Sequence, residues 1–225
     1  MQLVQFRLIL KFAKDLSIYS ISDRLQAKVG VSKLNEQNPI IERGVQIKVA
    51  QGKSSIIWNS IVLDITAEDV ADSEKGIDYL LSLIELVNSE IAINEISWRR
   101  FMTCWILPKP EYDFKSLEQK YRQIMLAQNS ISNSAFDSSS IFDIKAKKGF
   151  LHHQSGAMEP SQLYRTYLRY RLDSTPRTFL FLEASIWDND LIKYSKSEMK
   201  QFMLNCLPTC INHSLEFEQI WEGQL

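Results

Sequence analysis

The chain has 225 residues, of which 45% are hydrophobic and 24% are charged, and its formal net charge is −1. This composition is typical of a globular protein with one large domain or two small ones, and it excludes a disordered chain. The near-zero net charge also excludes a global attraction to nucleic acid or to an anionic membrane, so any basic surface has to be local.

Glycine is scarce, and no two glycines lie close enough to form a phosphate-binding loop. The seven glycines are about half of the usual share of roughly 7%. Gly52-Lys53-Ser54 resembles the end of a P-loop, but the glycine required five residues earlier is replaced by Ile47. The sequence therefore predicts no nucleotide-binding loop and no cofactor.

Cysteine usage and hydropathy predict the compartment. Three cysteines do not form a disulfide framework, and no apolar run reaches the 18 residues of a membrane span. Arg7 and Lys11 interrupt the apolar N-terminal segment, which does not resemble a signal peptide. We expect a reduced, cytoplasmic protein with no membrane partner.

The first third of the chain has mostly β character. Residues 2–12 alternate between apolar and polar side chains, which predicts a strand with one buried face. Two further β-rich runs, 45–50 and 55–66, flank Gln51-Gly52-Lys53-Ser54 and predict a hairpin. The run 55–66 is apolar on both faces, so we expect it to be covered on both sides.

The middle of the chain alternates helix and strand. Apolar residues from Ile77 to Val87 recur at helical spacing, with Asp72 or Ser73 placed to cap the helix. Residues 93–107 predict a strand that ends at Pro108, and residues 113–128 predict a second helix. The serine- and asparagine-rich segment 129–140 is the best candidate for an internal boundary.

The last third begins with β-rich segments at 141–154, 162–172 and 177–188. A capping box, Ser195-Lys196-Ser197-Glu198, then opens a helix that we expect Pro208 to interrupt.

Because the predicted strands occur in consecutive groups, the sequence favours an α+β fold with mainly antiparallel sheet and about four helices packed on one side. We expect an N-terminal α+β half (1–128), a flexible connection (129–140) and a C-terminal β-meander plus helix (141–225). A single domain overall remains an alternative.

A candidate partner-binding face lies in the C-terminal half. If 162–172 is a strand, one face carries Arg165, Tyr167, Arg169 and Arg171, and a preceding strand adds Lys145 and Lys147. Arginine mixed with aromatic side chains is typical of protein interfaces and can also bind phosphates and stack on bases. A solvated sheet face that is simply polar is the structural alternative.

A second hypothesis is a metal-dependent nuclease or hydrolase. Its residues are Asp143, Lys145, His153, Glu183 and Asp188, because an acid-x-Lys pattern, a histidine and nearby carboxylates are the groups that such an enzyme needs. The acid-x-Lys pattern occurs four times in this chain, whereas roughly two occurrences are expected by chance, so the pattern carries little weight.

A weak candidate zinc site consists of Cys206, Cys210 and His213, at spacings that align on one helical face. A fourth ligand is missing nearby, and buried cysteine commonly acts as a small apolar residue.

No motif for a nucleophile or a general base stands out. The sequence therefore favours a non-enzymatic protein that binds another macromolecule, as an oligomer or a subunit of a complex. The metal-dependent enzyme and an RNA-binding protein remain the alternatives.

Overall fold

The computed structural model describes residues 1–14, 45–49, 54–58, 62–68, 73–126, 139–146, 149–168 and 176–223. These ranges contain nine strands and four helices. In chain order they are β1 (Gln2–Phe12), β2 (Val45–Val49), β3 (Ser54–Trp58), β4 (Val62–Glu68), α1 (Ser73–Ile91), β5 (Glu95–Pro108), α2 (Phe114–Met125), β6 (Ser139–Lys145), β7 (Phe150–Met158), α3 (Pro160–Thr166), β8 (Phe179–Asp188), β9 (Ile192–Lys193) and α4 (Lys196–Trp221).

All nine strands belong to one antiparallel sheet with the order β2-β3-β4-β1-β5-β8-β7-β6, and β9 pairs with the start of β5. Strands β1, β5 and β8 form the centre. Leu8 of β1, for example, lies opposite both Ile65 and Phe101. Strands from both halves of the sequence thus share the sheet, because β5 pairs directly with β8.

One face of the sheet, here called the helical face, carries the main hydrophobic core. Alternate residues of β1, β4 and β5, including Phe6, Leu8 and Phe101, are buried against α1 and α4. At the β7 side, Leu117 and Tyr121 of α2 pack on Trp105 and other residues of the same face. The three longer helices therefore all cover the helical face.

The opposite face, here called the polar face, is covered at one end by α3. Leu163 of α3 and Leu168 pack on Val4, Cys104 and Phe181. Farther along the same strands this face carries charged and hydrogen-bonding side chains, described below.

The α+β class, the antiparallel sheet and the four helices are confirmed, but α3 packs on the polar face, so the helices do not all lie on one side. The predicted strand 2–12, the hairpin of β2 and β3, and the helices near 77–87 and 113–128 are also confirmed. Asp113 caps α2 by accepting a hydrogen bond from the Ser116 N–H, and Ser195 caps α4 by accepting one from the Glu198 N–H.

Three of the predicted strands are wrong. In place of one strand over 55–66, Ser54–Trp58 and Val62–Glu68 form two antiparallel strands, β3 and β4. In place of one strand over 141–154, Ser139–Lys145 and Phe150–Met158 form the antiparallel pair β6 and β7. The predicted strand 162–172 begins as helix α3, because Pro160 suits a first turn and the Glu159 N–H donates to the Gln162 side chain.

Pro208 does not interrupt the last helix, which runs unbroken through it. The buried neighbours Cys206, Leu207 and Cys210 hold this part of α4 against the sheet, which compensates for the hydrogen bond that proline removes.

Most of the predicted connection 129–140 lies outside the described residues, so the division into halves stays a prediction. No described helix is both long enough and apolar enough to cross a membrane.

Gly149 and Gly223 provide a matched pair of substitutions. Both have positive φ, +72° and +69°, but a Cβ at Gly149 would lie 2.0 Å from the Trp187 carbonyl oxygen, whereas one at Gly223 would meet nothing within 4 Å. We expect Gly223→Ala to lower the free energy of unfolding by about 1–2 kcal/mol, the cost of a left-handed alanine. Gly149→Ala should cost clearly more, since it adds a clash with backbone. Chemical denaturation measures both, and equal losses would contradict the packing at Gly149.

Candidate functional site

Strand β6 forms one edge of the sheet, and none of the described residues pairs with its outer side. Its large apolar side chains are unusually accessible: Ile141 is 59% exposed, Phe142 43% and Ile144 45%. An edge strand presents unpaired N–H and C=O groups, and proteins normally protect such an edge with charge, proline or a covering element. An accessible apolar edge is therefore a candidate binding surface.

The charges of β6 lie on the polar face, two residues apart. Asp143 faces His152 of β7, with 2.8 Å between its Oδ1 and the His152 Nδ1, and its side chain is half exposed. Lys145 is exposed and forms no ion pair with a described residue. The edge thus carries one half-exposed carboxylate and one unpaired ammonium group in fixed register.

A cleft of about 210 Å³ adjoins the start of β6 on the polar face and is lined by Ser139, Gln154, Arg165 and Tyr167, among others. Arg165 is exposed and makes no hydrogen bond with the described residues. The Tyr167 ring packs against Phe181, with 4.1 Å between ring centroids, and burial together with the charge of Glu183 raises the pKa of its hydroxyl.

The structure therefore describes only part of the predicted partner-binding set. Arg165 belongs to helix α3 and Tyr167 follows it, so these two residues do not form the strand face that the sequence predicted. Lys145 lies on the β6 edge, as expected from its strand. Arg169, Arg171 and Lys147 lie outside the described residues.

Ion pairs fill the middle of the polar face. The Arg7 guanidinium donates two hydrogen bonds to Asp64, and these bonds together with the Asp64 charge outweigh the effect of burial and raise the pKa of Arg7. Arg100 donates to Glu183 and to the hydroxyl of Ser185. Buried charges of this kind are tolerated when they are paired, so these ion pairs hold the side chains of the polar face in place.

The predicted catalytic residues are divided between the two faces. Asp143, Lys145 and Glu183 lie on the polar face, whereas His153 and Asp188 lie on the helical face. Asp188 is held by Arg99, and burial raises the pKa of its carboxyl despite that partner. The five residues are not brought together around one point.

The candidate zinc ligands are also separated. Cys206 and Cys210 are buried in the core, and burial raises the pKa of both thiols, that of Cys210 to about 12. His213 instead contacts His153, with 2.7 Å between its Nε2 and the His153 Nδ1. Across the part of the chain that the structure describes, no group of three or more His, Cys, Asp or Glu residues could hold a metal ion.

The helical face contains a buried hydrogen-bond chain that was not predicted from the sequence. His153 contacts His213 through Nδ1 and the hydroxyl of Ser155 through Nε2, and Ser155 contacts the hydroxyl of Tyr121. Burial, and then the charge of His213, lowers the pKa of His153 to about 3. Strand alternation explains why His152 and His153 project to opposite faces, but no local signal links His153 to a residue 60 positions later.

The His153 chain predicts a pH effect on stability. A histidine whose pKa falls from 6.5 when unfolded to about 3 when folded stabilises the fold above pH 6.5, and that contribution is lost as the pH falls toward 3. We expect the free energy of unfolding to fall less between pH 7 and pH 4.5 in His153→Gln than in the unaltered protein. Denaturant titrations at both pH values measure this difference. Equal losses of unfolding free energy in the two proteins would show that His153 titrates at the same pH in the folded and unfolded states, which would contradict the lowered pKa.

Comparison with known proteins adds no assignment. No protein-family model matches the chain, and no curated protein matches it. The function has to be inferred from the chemistry of the β6 edge and of the surfaces beside it.

Proposed function

We propose that this protein is a non-enzymatic assembly subunit whose β6 edge pairs with the same edge of a second copy. The observation that carries the proposal is the open β6 edge with its three exposed apolar side chains. Adding a strand there satisfies the unpaired backbone groups of the edge and removes apolar surface from water in one step.

The charges on β6 favour a second copy over an unrelated strand. When a two-fold axis passes through Ile144, the two β6 strands are antiparallel. Asp143 of each copy then lies opposite Lys145 of the partner subunit, which gives two identical contacts. Asp143 uses Oδ1 toward His152 and keeps Oδ2 for this contact. Opposite charges directly across an antiparallel pair are stabilising.

The apolar side chains fit the same register. Ile144 meets its own copy at the axis, and Phe142 lies across from Ala146 of the partner subunit. Both Phe142 and Ile144 project to the helical face, so they form one continuous apolar contact.

The alternative functions receive less support. The predicted enzyme residues are divided between two faces, and within the described residues the predicted basic set supplies only Lys145 and Arg165 for nucleic acid. Arg165 and Tyr167 at the cleft beside β6 offer a further surface for a larger complex. Three buried free cysteines agree with the reduced cytoplasmic location that we expect.

Two charge variants test the register. Lys145→Asp places like charges opposite each other at both contacts, and Asp143→Lys does the same with positive charge. We expect either variant to weaken self-association by about tenfold or more, from two cross-strand pairs that change from attractive to repulsive. An equimolar mixture of the two should restore the dimer, because each then faces opposite charge. Sedimentation velocity measures all three samples.

Lys193→Asp is the matched control, since Lys193 is an exposed strand lysine far from β6 in the sheet order. It should leave self-association unchanged. A monomeric unaltered protein, or variants that associate as well alone as in the mixture, would contradict the proposal. RNA binding that falls steeply with salt, in a protein that stays monomeric, would favour the nucleic-acid alternative.

A further inference from the structure

A cavity of about 480 Å³ lies between the first half of α4, the start of β5 and the end of β8, and Ala146, which follows β6, also lines it. Arg99 and Asp188 line it from the sheet, and Glu198, Phe202 and Asn205 line it from the helix. This volume lies within the range of small-molecule sites. The lining combines an aromatic ring with charged and amide groups.

Arg99, which lines this cavity, has an unused hydrogen-bond donor. The residue is only 8% exposed, its Nε lies 3.1 and 3.0 Å from the two Asp188 oxygens, and its guanidinium stacks on the Phe202 ring at 4.0 Å. The Nη1 atom is buried and has no hydrogen-bond acceptor. Buried donors almost always have a partner, so an unpaired guanidinium N–H beside a cavity points to an acceptor supplied by a ligand.

Glu198 supplies the complementary group. Its Oε1 lies 3.8 Å from the Arg99 Nη1, beyond hydrogen-bond distance, and the side chain is 54% exposed. Asp188 and Glu198 both pair with the single guanidinium of Arg99, which leaves a net negative charge among these three side chains at the cavity. The cavity therefore presents a donor and an anionic acceptor side by side.

We propose that this cavity binds a free α-amino acid as a zwitterion. The ligand carboxylate accepts a hydrogen bond from the Arg99 Nη1, the adjacent ammonium group donates to Glu198, and the ligand side chain lies along Phe202. A simple anion would be repelled by Asp188 and Glu198, and a simple amine would leave the Arg99 donor unpaired. A zwitterion satisfies both groups without adding net charge.

The test uses the full chain and defined probes. Thermal unfolding is followed with each of the twenty amino acids, and binding of those that raise the unfolding midpoint is measured by calorimetry. For leucine, 3-methylbutylamine and 4-methylpentanoic acid are the matched probes that lack the carboxylate and the ammonium group, respectively. We expect at least one amino acid to bind, and its amine and acid analogues to bind about tenfold more weakly or not at all.

Glu198→Gln removes the charge from a half-exposed side chain and should weaken amino-acid binding by about tenfold while the fold is retained. Asn205→Trp fills the cavity and should abolish binding, whereas Glu216→Gln, an exposed change on α4 outside the cavity, should have no effect. The proposal is overturned if no amino acid binds, if the amine or acid analogue binds equally well, or if Glu198→Gln leaves the affinity unchanged. Amino-acid binding and self-association at β6 have separate readouts, calorimetry and sedimentation velocity, so the failure of one proposal is distinguishable from the failure of the other.

Discussion

The two-residue alternation of a single antiparallel sheet decides which groups can meet in this protein. Neighbouring residues on a strand project to opposite faces, so His152 reaches Asp143 on the polar face while His153 reaches His213 beneath α4. The same rule places Glu183 and Asp188 on opposite faces, although they are only five positions apart on β8. It also places Asp143 and Lys145 on one face at the edge of the sheet, which makes β6 complementary to its own copy.

Buried polar groups are paired differently on the two faces of the sheet. On the polar face, arginine side chains are matched to carboxylates, as in Arg7 with Asp64 and Arg100 with Glu183, so little hydrogen-bonding capacity is left over. On the helical face, the cavity beside α4 leaves Arg99 only partly matched. Charged groups inside a protein are stable when they are fully paired. The unmatched donor of Arg99 and the open edge of β6 are therefore the two features on which we base the proposed ligand site and the proposed contact with a second copy.

Local patterns predicted the parts of the fold that local forces determine. The alternation of β1 and the apolar spacing of α1 follow from burial of one face, and Ser195 caps α4 as its capping box predicted. Alternating arginine and aromatic residues from Arg165 predicted a strand over 162–172. The residues at the start of α3, Pro160 and Gln162, favour a helical turn instead. The His153–His213 contact depends on how α4 crosses the sheet, a relation between distant segments that no pattern in either segment contains.

The central claim is that two copies meet along β6 with Ile144 on the two-fold axis, and an engineered disulfide tests it most directly. Residues that face each other across antiparallel strands have Cα atoms about 4.5–5.5 Å apart, which is within the range that a disulfide spans. The account predicts that Ile144→Cys cross-links to its own copy under mild oxidation. Phe142→Cys, about 13 Å from its own copy, should not, and the three native cysteines are buried. Efficient cross-linking at Phe142→Cys with none at Ile144→Cys, or none at either, would contradict the account.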